Sequence, residues 1–263
     1  VIRSISILSQ ARLKAYELLL QKKHREEQGK FIVEGSHVIE EALSAGWSVE
    51  VVLLTPEFRA AKAGAPLLER VGRLGVECAE VTSRMASRLT DTVTPQGAVA
   101  IVRKPKKRAP GPRTGGNLTV ALDGVSDPGN LGTMLRTCDW FGVQSVLLGK
   151  GCVEPYNPKL LRSTMGSLFH LDILDNVDLV GELGRMKADG FEVRVAAVSG
   201  GAPPGPVGGD QRLAMVFGNE SRGVSPGVSA LADATVSIPS FGKAESLNVA
   251  TACGIILALL RLK

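Results

Sequence analysis

Three short segments in the second half of the chain gather the side chains best suited to chemistry. Asn130 and Arg136 stand six residues apart behind the loop Asp123-Gly-Val-Ser-Asp-Pro-Gly. Gly218-Asn219-Glu220-Ser221-Arg222-Gly223 forms a second group, and Ser246-Leu247-Asn248 follows Ile238-Pro239 in a third. Pro128 marks a helix start with Leu131, Leu135 and Cys138 as its buried stripe. Helical side chains lean toward the N-terminus, so Arg136, about 9 Å along the axis from Asn130 at ~1.5 Å per residue, reaches back toward the loop mouth. There it suits an anion such as phosphate; the alternative is a surface ion pair with Asp139 or another acid. Ser246 and Asn248 open a helix that is apolar until Arg261 and must be buried on every side, by its own domain or by a second copy. Their alternative role is a helix-start hydrogen bond, and that of Glu220 is a surface loop charge. The sequence lacks G-x-G-x-x-G and a P-loop, which argues against a dinucleotide fold, and Gly218–Gly223 does not set Ser221 in the G-x-S-x-G spacing that a nucleophile elbow needs.

Such groups need a scaffold. From residue 118 onward five apolar runs, LTVALDGV, QSVLLG, FEVRVAAVSG, RLAMVFGNE and ATVSIPSFG, alternate with helix-like segments. This is the pattern of a mainly parallel sheet wound with helices, whose ligands bind outside the carboxyl ends of the strands. The first hundred residues read as a smaller α/β module: a helix over 9–23 behind a Ser9 start signal, the strand FIVEG, the helix SHVIEEALSAG, the strand VEVVLL, then PLLERVGRLG, VECAEV and GAVAIV. His37 beside Glu40 and Glu41 has no H-E-x-x-H spacing and reads as an exposed helix face.

Charge separates the two halves. Residues 1–102 hold 13 Lys+Arg against 12 Asp+Glu and residues 118–263 hold 12 against 14, so the net +5 comes from 103–117, with six basic residues and no acid. That Pro- and Gly-rich segment reads as a basic interdomain linker, and Lys104, Lys106, Lys107 and Arg108 as contacts to phosphate. The expected domains are therefore 1–102, linker 103–117 and 118–263. Cys78, Cys138, Cys152 and Cys253 lack C-x-x-C spacing and read as buried apolar residues in a reducing cytoplasm, with neither disulfide nor metal. The longest uncharged apolar stretch is 12 residues, Val249 to Leu260, too short for a membrane span, and VIRSISIL has no signal core.

N-L-G-x-x-x-R at 130–136, G-N-E-x-x-G at 218–223 and I-P-x-x-G-x-x-x-S-L-N-V at 238–249 resemble, in order and spacing, the signature motifs of the SpoU-type (TrmH-like) RNA ribose 2′-O-methyltransferases of the SPOUT superfamily. The resemblance implies a C-terminal SPOUT domain with a deep trefoil knot, in which about 212–262 thread through a loop of the same chain. The leading domain is similar to a small ribosomal-protein-like RNA-binding domain. The implied reaction is methyl transfer from S-adenosylmethionine, without metal, to a ribose 2′-hydroxyl of RNA. Large-subunit ribosomal RNA is the expected substrate, with tRNA or a non-catalytic RNA-binding scaffold as alternatives. The implied catalytic residues are Arg136, Asn130, Glu220, Ser246 and Asn248; those implied around the donor are Gly218, Asn219, Ile238, Leu247, Val198 and Ser199. Glycine at 218 is expected to let backbone approach the ligand. A homodimer through the C-terminal domain is implied as well.

Overall fold

The computed structural model describes residues 5–105, 117–208 and 211–262. They form two compact units, and the division differs from the expected boundaries: residues Tyr156–Phe169 belong to the first unit, with 5–105. Strand β5 also runs through Arg103, whose guanidinium pairs with Glu50, so the first sheet extends beyond residue 102. Of the expected linker, residues 106–116 lie outside the described residues, and with them Lys106, Lys107 and Arg108.

The first unit is built on a five-stranded mixed sheet of β1 (Ser6–Ile7), β2 (Lys30–Glu34), β3 (Val49–Leu54), β4 (Glu77–Glu80) and β5 (Ala98–Arg103), in the order β1-β4-β3-β5-β2. The apolar run Ala98–Val102 is fully buried, as a central strand covered on both faces requires. Ser9 caps the first helix by accepting from the Arg12 N–H. The expected single helix over 9–23 is broken: Gln10–Glu17 continues as one 3₁₀ turn, and a second helix, Lys22–Gln28, ends at Gly29 in left-handed conformation. The helix Pro158–Thr164 packs on β2, where Tyr156 lies 4.7 Å from the Phe31 ring and the Trp47 indole donates to the Phe169 carbonyl.

The second unit holds six parallel strands, one more than the apolar runs announce. They are β6 (Leu118–Asp123), β7 (Ser145–Gly149), β8 (Asp172–Val177), β9 (Glu192–Ala196), β10 (Leu213–Gly218) and β11 (Ala234–Val236), ordered β11-β9-β10-β6-β7-β8. The unforeseen β8, DILDNV, is an edge strand whose two aspartates and asparagine interrupt its apolar residues and hide it from a search for continuous apolar runs. Parallel pairing places every carboxyl end on one edge, with Gly218 in register with Asp123, Leu122 with Leu148 and Val236 with Ala196. The helix Pro128–Trp140 buries Leu131, Leu135 and Cys138 as expected and packs against the helix Val249–Arg261. That last helix is not buried on every side within its unit: Cys253, Ile256, Leu257 and Leu260 are buried, whereas Thr251 is exposed and Leu259 is 42% exposed.

Candidate active site

The three motif segments converge at the carboxyl edge of the six-stranded sheet. After β6, Asp127 caps the helix Pro128–Trp140, its carboxylate accepting from the Asn130 N–H at 2.8 Å. This presents the Asn130 amide at the loop mouth, where Nδ2 donates to Glu220 Oε1 at 3.1 Å and Oδ1 accepts from Asn248 Nδ2 at 2.9 Å. Glu220 also accepts from Asn219 Nδ2 (3.2 Å), and that nitrogen donates to the Gly124 carbonyl (2.8 Å). Asn248 turns its own Oδ1 to the N–H groups of Ala250 (2.9 Å) and Thr251 (3.3 Å), capping the last helix. One hydrogen-bonded chain thus joins the loops after β6 and β10 to the start of the last helix, where Asn248 is both the helix cap and a link in that chain.

Burial raises the Glu220 pKa, but the bonds from Asn130 and from the backbone of Glu220, Asp127 and Ser126 outweigh it and hold the carboxyl below its ordinary value. An ionised carboxylate at neutral pH keeps both oxygens as acceptors and so fixes which way the Asn130 amide faces.

Arg136 is outside this chain. Its side chain is exposed and has no hydrogen bond or ion pair among the described residues; Asp139, the alternative partner, faces His170 at 3.1 Å. At 3.6 residues per turn it projects about 120° around the helix from Asn130. Ser246 is likewise exposed, without a hydrogen bond among the described residues.

Gly218 is required by the turn that follows it. A Cβ there would lie 2.1 Å from the Gly223 carbonyl carbon and 2.2 Å from the Val224 nitrogen, so the close approach is to the chain's own backbone. It lets Asn219 and Gly223 exchange both main-chain bonds, closing the tight turn that carries Glu220. Farther along the edge, Ser237 N–H bonds the Ala202 carbonyl and Ala197 N–H bonds the Val236 carbonyl, drawing the segments after β9 and β11 together. Val198, 68% exposed, and Ser199 lie on the first of these; Ile238 is half-buried and Leu247 is 49% exposed. In the first unit Lys104 lies with its ammonium 4.7 Å from the centre of the Tyr156 ring, a cation–π contact.

The sequence reading overlooked Asp127 and Gly124, which hold Asn130 and Asn219. The Asp-Pro pair was the available signal, since an acid before a helix-starting proline is a cap.

The profile of the SpoU rRNA Methylase family matches residues 117–258, and that of the MRM3-like substrate binding domain matches residues 10–100. The chain is 34% identical to the 23S rRNA (guanosine(2553)-2′-O)-methyltransferase RlmP of Bacillus subtilis, over 98% of this chain and 99% of the relative. It is 31% identical to the 23S rRNA (uridine(2479)-2′-O)-methyltransferase of Streptomyces viridochromogenes, over 94% and 88%. Its fold matches the crystal structure of the AdoMet-bound rRNA methyltransferase of Sinorhizobium meliloti with a TM-score of 0.78, at 29% identity over 97% of this chain and 95% of that one. With its three motifs knit together at one sheet edge and its whole length matched, the chain belongs to the SpoU rRNA methylase family.

Proposed function

We propose that this chain transfers a methyl group from S-adenosylmethionine to a ribose 2′-hydroxyl of large-subunit ribosomal RNA. The observation that carries the reading is the hydrogen-bonded chain Asn219–Glu220–Asn130–Asn248, which preorganises all three motif segments. A binding scaffold has no need to tie these side chains together across three loops.

The edge suits the donor. Main-chain groups at 198–199, 218–219, 238 and 247 can hydrogen-bond an adenosine, and exposed Val198 and Leu247 offer apolar cover. Bound there, S-adenosylmethionine supplies an electrophilic methyl on a sulfonium. The protein must hold the 2′-oxygen in line with it and assist loss of the hydroxyl proton. Arg136, permanently charged, binds the adjacent phosphate and stabilises the developing alkoxide. Ser246 orients the ribose, while Asn130, Glu220 and Asn248 are positioning residues.

The trefoil knot belongs to the same reading. The segment after β9 is attached at both ends to the C-terminal part of the chain, through Ala202 to Ser237 and through the Val207 N–H to the Leu260 carbonyl, which supports a threaded C-terminus. The half-exposed apolar side of the last helix supports homodimerisation through this unit. The first unit binds the RNA substrate, and the enzyme works in the cytoplasm without a metal. Among the described residues no helix is long and apolar enough to cross a membrane.

The test is transfer of labelled methyl to unmodified 23S ribosomal RNA and, separately, to unmodified tRNA, with Arg136→Ala as control. Ribose-located label on ribosomal RNA that is lost in the variant is the expected result. Label on tRNA alone overturns the substrate class, and tight RNA binding without transfer to either overturns the enzyme.

A further inference from the structure

The lysines and arginines of the second unit, among the described residues, fall into two sets. Arg185, Lys187, Arg194, Arg212 and Arg261 are each tied to a carboxylate or a backbone carbonyl of their own unit. Arg136, Lys150, Arg222 and Lys243 are exposed, and their side chains have no hydrogen bond or ion pair among the described residues. Lys150, Arg222 and Lys243 stand in the loops after β7, β10 and β11, on the sheet edge that carries the motifs, and Arg136 stands on the helix that starts from that edge. Lys150 follows the last residue of β7, in a turn whose Val153 N–H bonds the Val125 carbonyl and whose Cys152 thiol donates to the Leu122 carbonyl. Arg222 lies in the turn after β10, its N–H donating to Asn219 Oδ1. Lys243 lies between β11 and Asn248.

The acids of this edge are differently disposed. Asp123 accepts from the Ser225 N–H at 2.7 Å, Asp127 caps its helix and Glu220 holds Asn130; Glu245, and Asp178 at the far end of the edge after β8, are exposed and without a side-chain partner among the described residues. Carboxylates turned inward onto N–H groups, beside ammonium and guanidinium groups turned outward with no partner, make a surface complementary to a polyanion.

Resting on the methyltransferase reading above, we propose that Lys150, Arg222 and Lys243 grip the RNA phosphates that flank the target ribose, forming with Arg136 a phosphate track across the carboxyl edge. These contacts position the backbone and carry no base readout. No bond inside the protein is lost when their charge is removed, so the fold tolerates the substitutions that test them.

The test measures kcat/KM for methyl transfer to an unmodified 23S ribosomal RNA transcript as a function of salt. The variants are Lys150→Gln, Arg222→Gln, Lys243→Gln, their triple combination, and Arg185→Gln as a control off the track. Each track variant is expected to lower kcat/KM about 3- to 10-fold, chiefly through KM, and to make the slope of its logarithm against log salt less negative by about 0.7 to 0.9. The triple variant is expected to change the slope by about two to three, Lys150→Arg and Lys243→Arg to restore it, and Arg185→Gln to leave it alone. An unchanged slope in the triple variant of an active enzyme overturns the track. So does weakened S-adenosylmethionine binding with the slope intact, because the cations would then serve the donor's carboxylate. A wild-type protein that transfers no methyl to ribosomal RNA instead overturns the reading of function.

Discussion

Asn248 shows how one side chain can hold two assignments at once. Its oxygen caps the last helix and its nitrogen reaches Asn130, and substitution separates the two. In Asn248→Asp the capping oxygen remains while the group facing Asn130 Oδ1 loses its donor. The expected outcome is a melting temperature close to that of the wild type with kcat/KM reduced about 10-fold or more, whereas Asn248→Ala also costs ~1 kcal/mol of stability through the lost cap. Equal activity in wild type and Asn248→Asp would remove the Asn130 bond from the machinery. For Glu220 the sign of the linkage is clear. Its folded pKa lies below the unfolded value, so its contribution to loop order is complete above about pH 4.3 and is lost as pH falls through the lowered folded value. Glu220→Gln is therefore expected to lower kcat/KM by about 10- to 100-fold without changing the shape of the rate profile between about pH 6 and 9. A limb in that range that disappears in the variant would assign Glu220 a titrating role.

At the scale of elements, the tight turn after β10 depends on the absence of one side chain. Gly218→Ala forces the turn apart at Gly223 and Val224, where both neighbours are backbone and cannot swing away. Overpacking of this kind costs ~1–3 kcal/mol. For a protein of this size that corresponds to a loss of about 2–10 °C in melting temperature, checked by calorimetry, accompanied by loss of methyl transfer because Glu220 rides on the turn. The packed helices Pro128–Trp140 and Val249–Arg261 enclose Cys138 and Cys253, both fully buried. A hydrogen bond from Cys138 and burial raise the Cys253 thiol pKa, burial raises that of Cys78, and burial pushes Cys152 up to about 11. Thiols in this condition are poor nucleophiles. Native protein is accordingly expected to resist iodoacetamide at pH 7.5 and to be alkylated at all four cysteines once denatured, as read by intact mass; rapid native labelling would contradict the packing.

At the scale of the whole molecule, Leu259 and Leu262, 42% and 65% exposed, leave apolar surface at the C-terminal helix, and Trp140 at the end of the neighbouring helix is 84% exposed. If this surface is the dimer contact, Leu259→Glu shifts the sedimentation coefficient from dimer to monomer at micromolar concentration, because a carboxylate cannot be buried unpaired. An unshifted dimer would move the contact elsewhere.

Periodicity and motif spacing determined much of this protein. The apolar runs locate five of the six strands in the second unit, Ser9 and Pro128 mark real helix starts, and the spacing of Asn130, Glu220 and Asn248 names the residues that the fold joins. These features are local or repeat at short range, so they are written directly into residue order. What only the tertiary structure decided depends on partners far apart in the chain. Residues 156–169 associate with the first unit, although charge and composition group them with the second. Gly218 makes room for Gly223, Lys104 rests on Tyr156, and Arg136 has no side-chain partner among the described residues while Asp139 turns to His170. The physical reason is common to all of them: a side chain's type states which bonds it can form, but its competing partners are set by packing, and packing is decided across the whole fold.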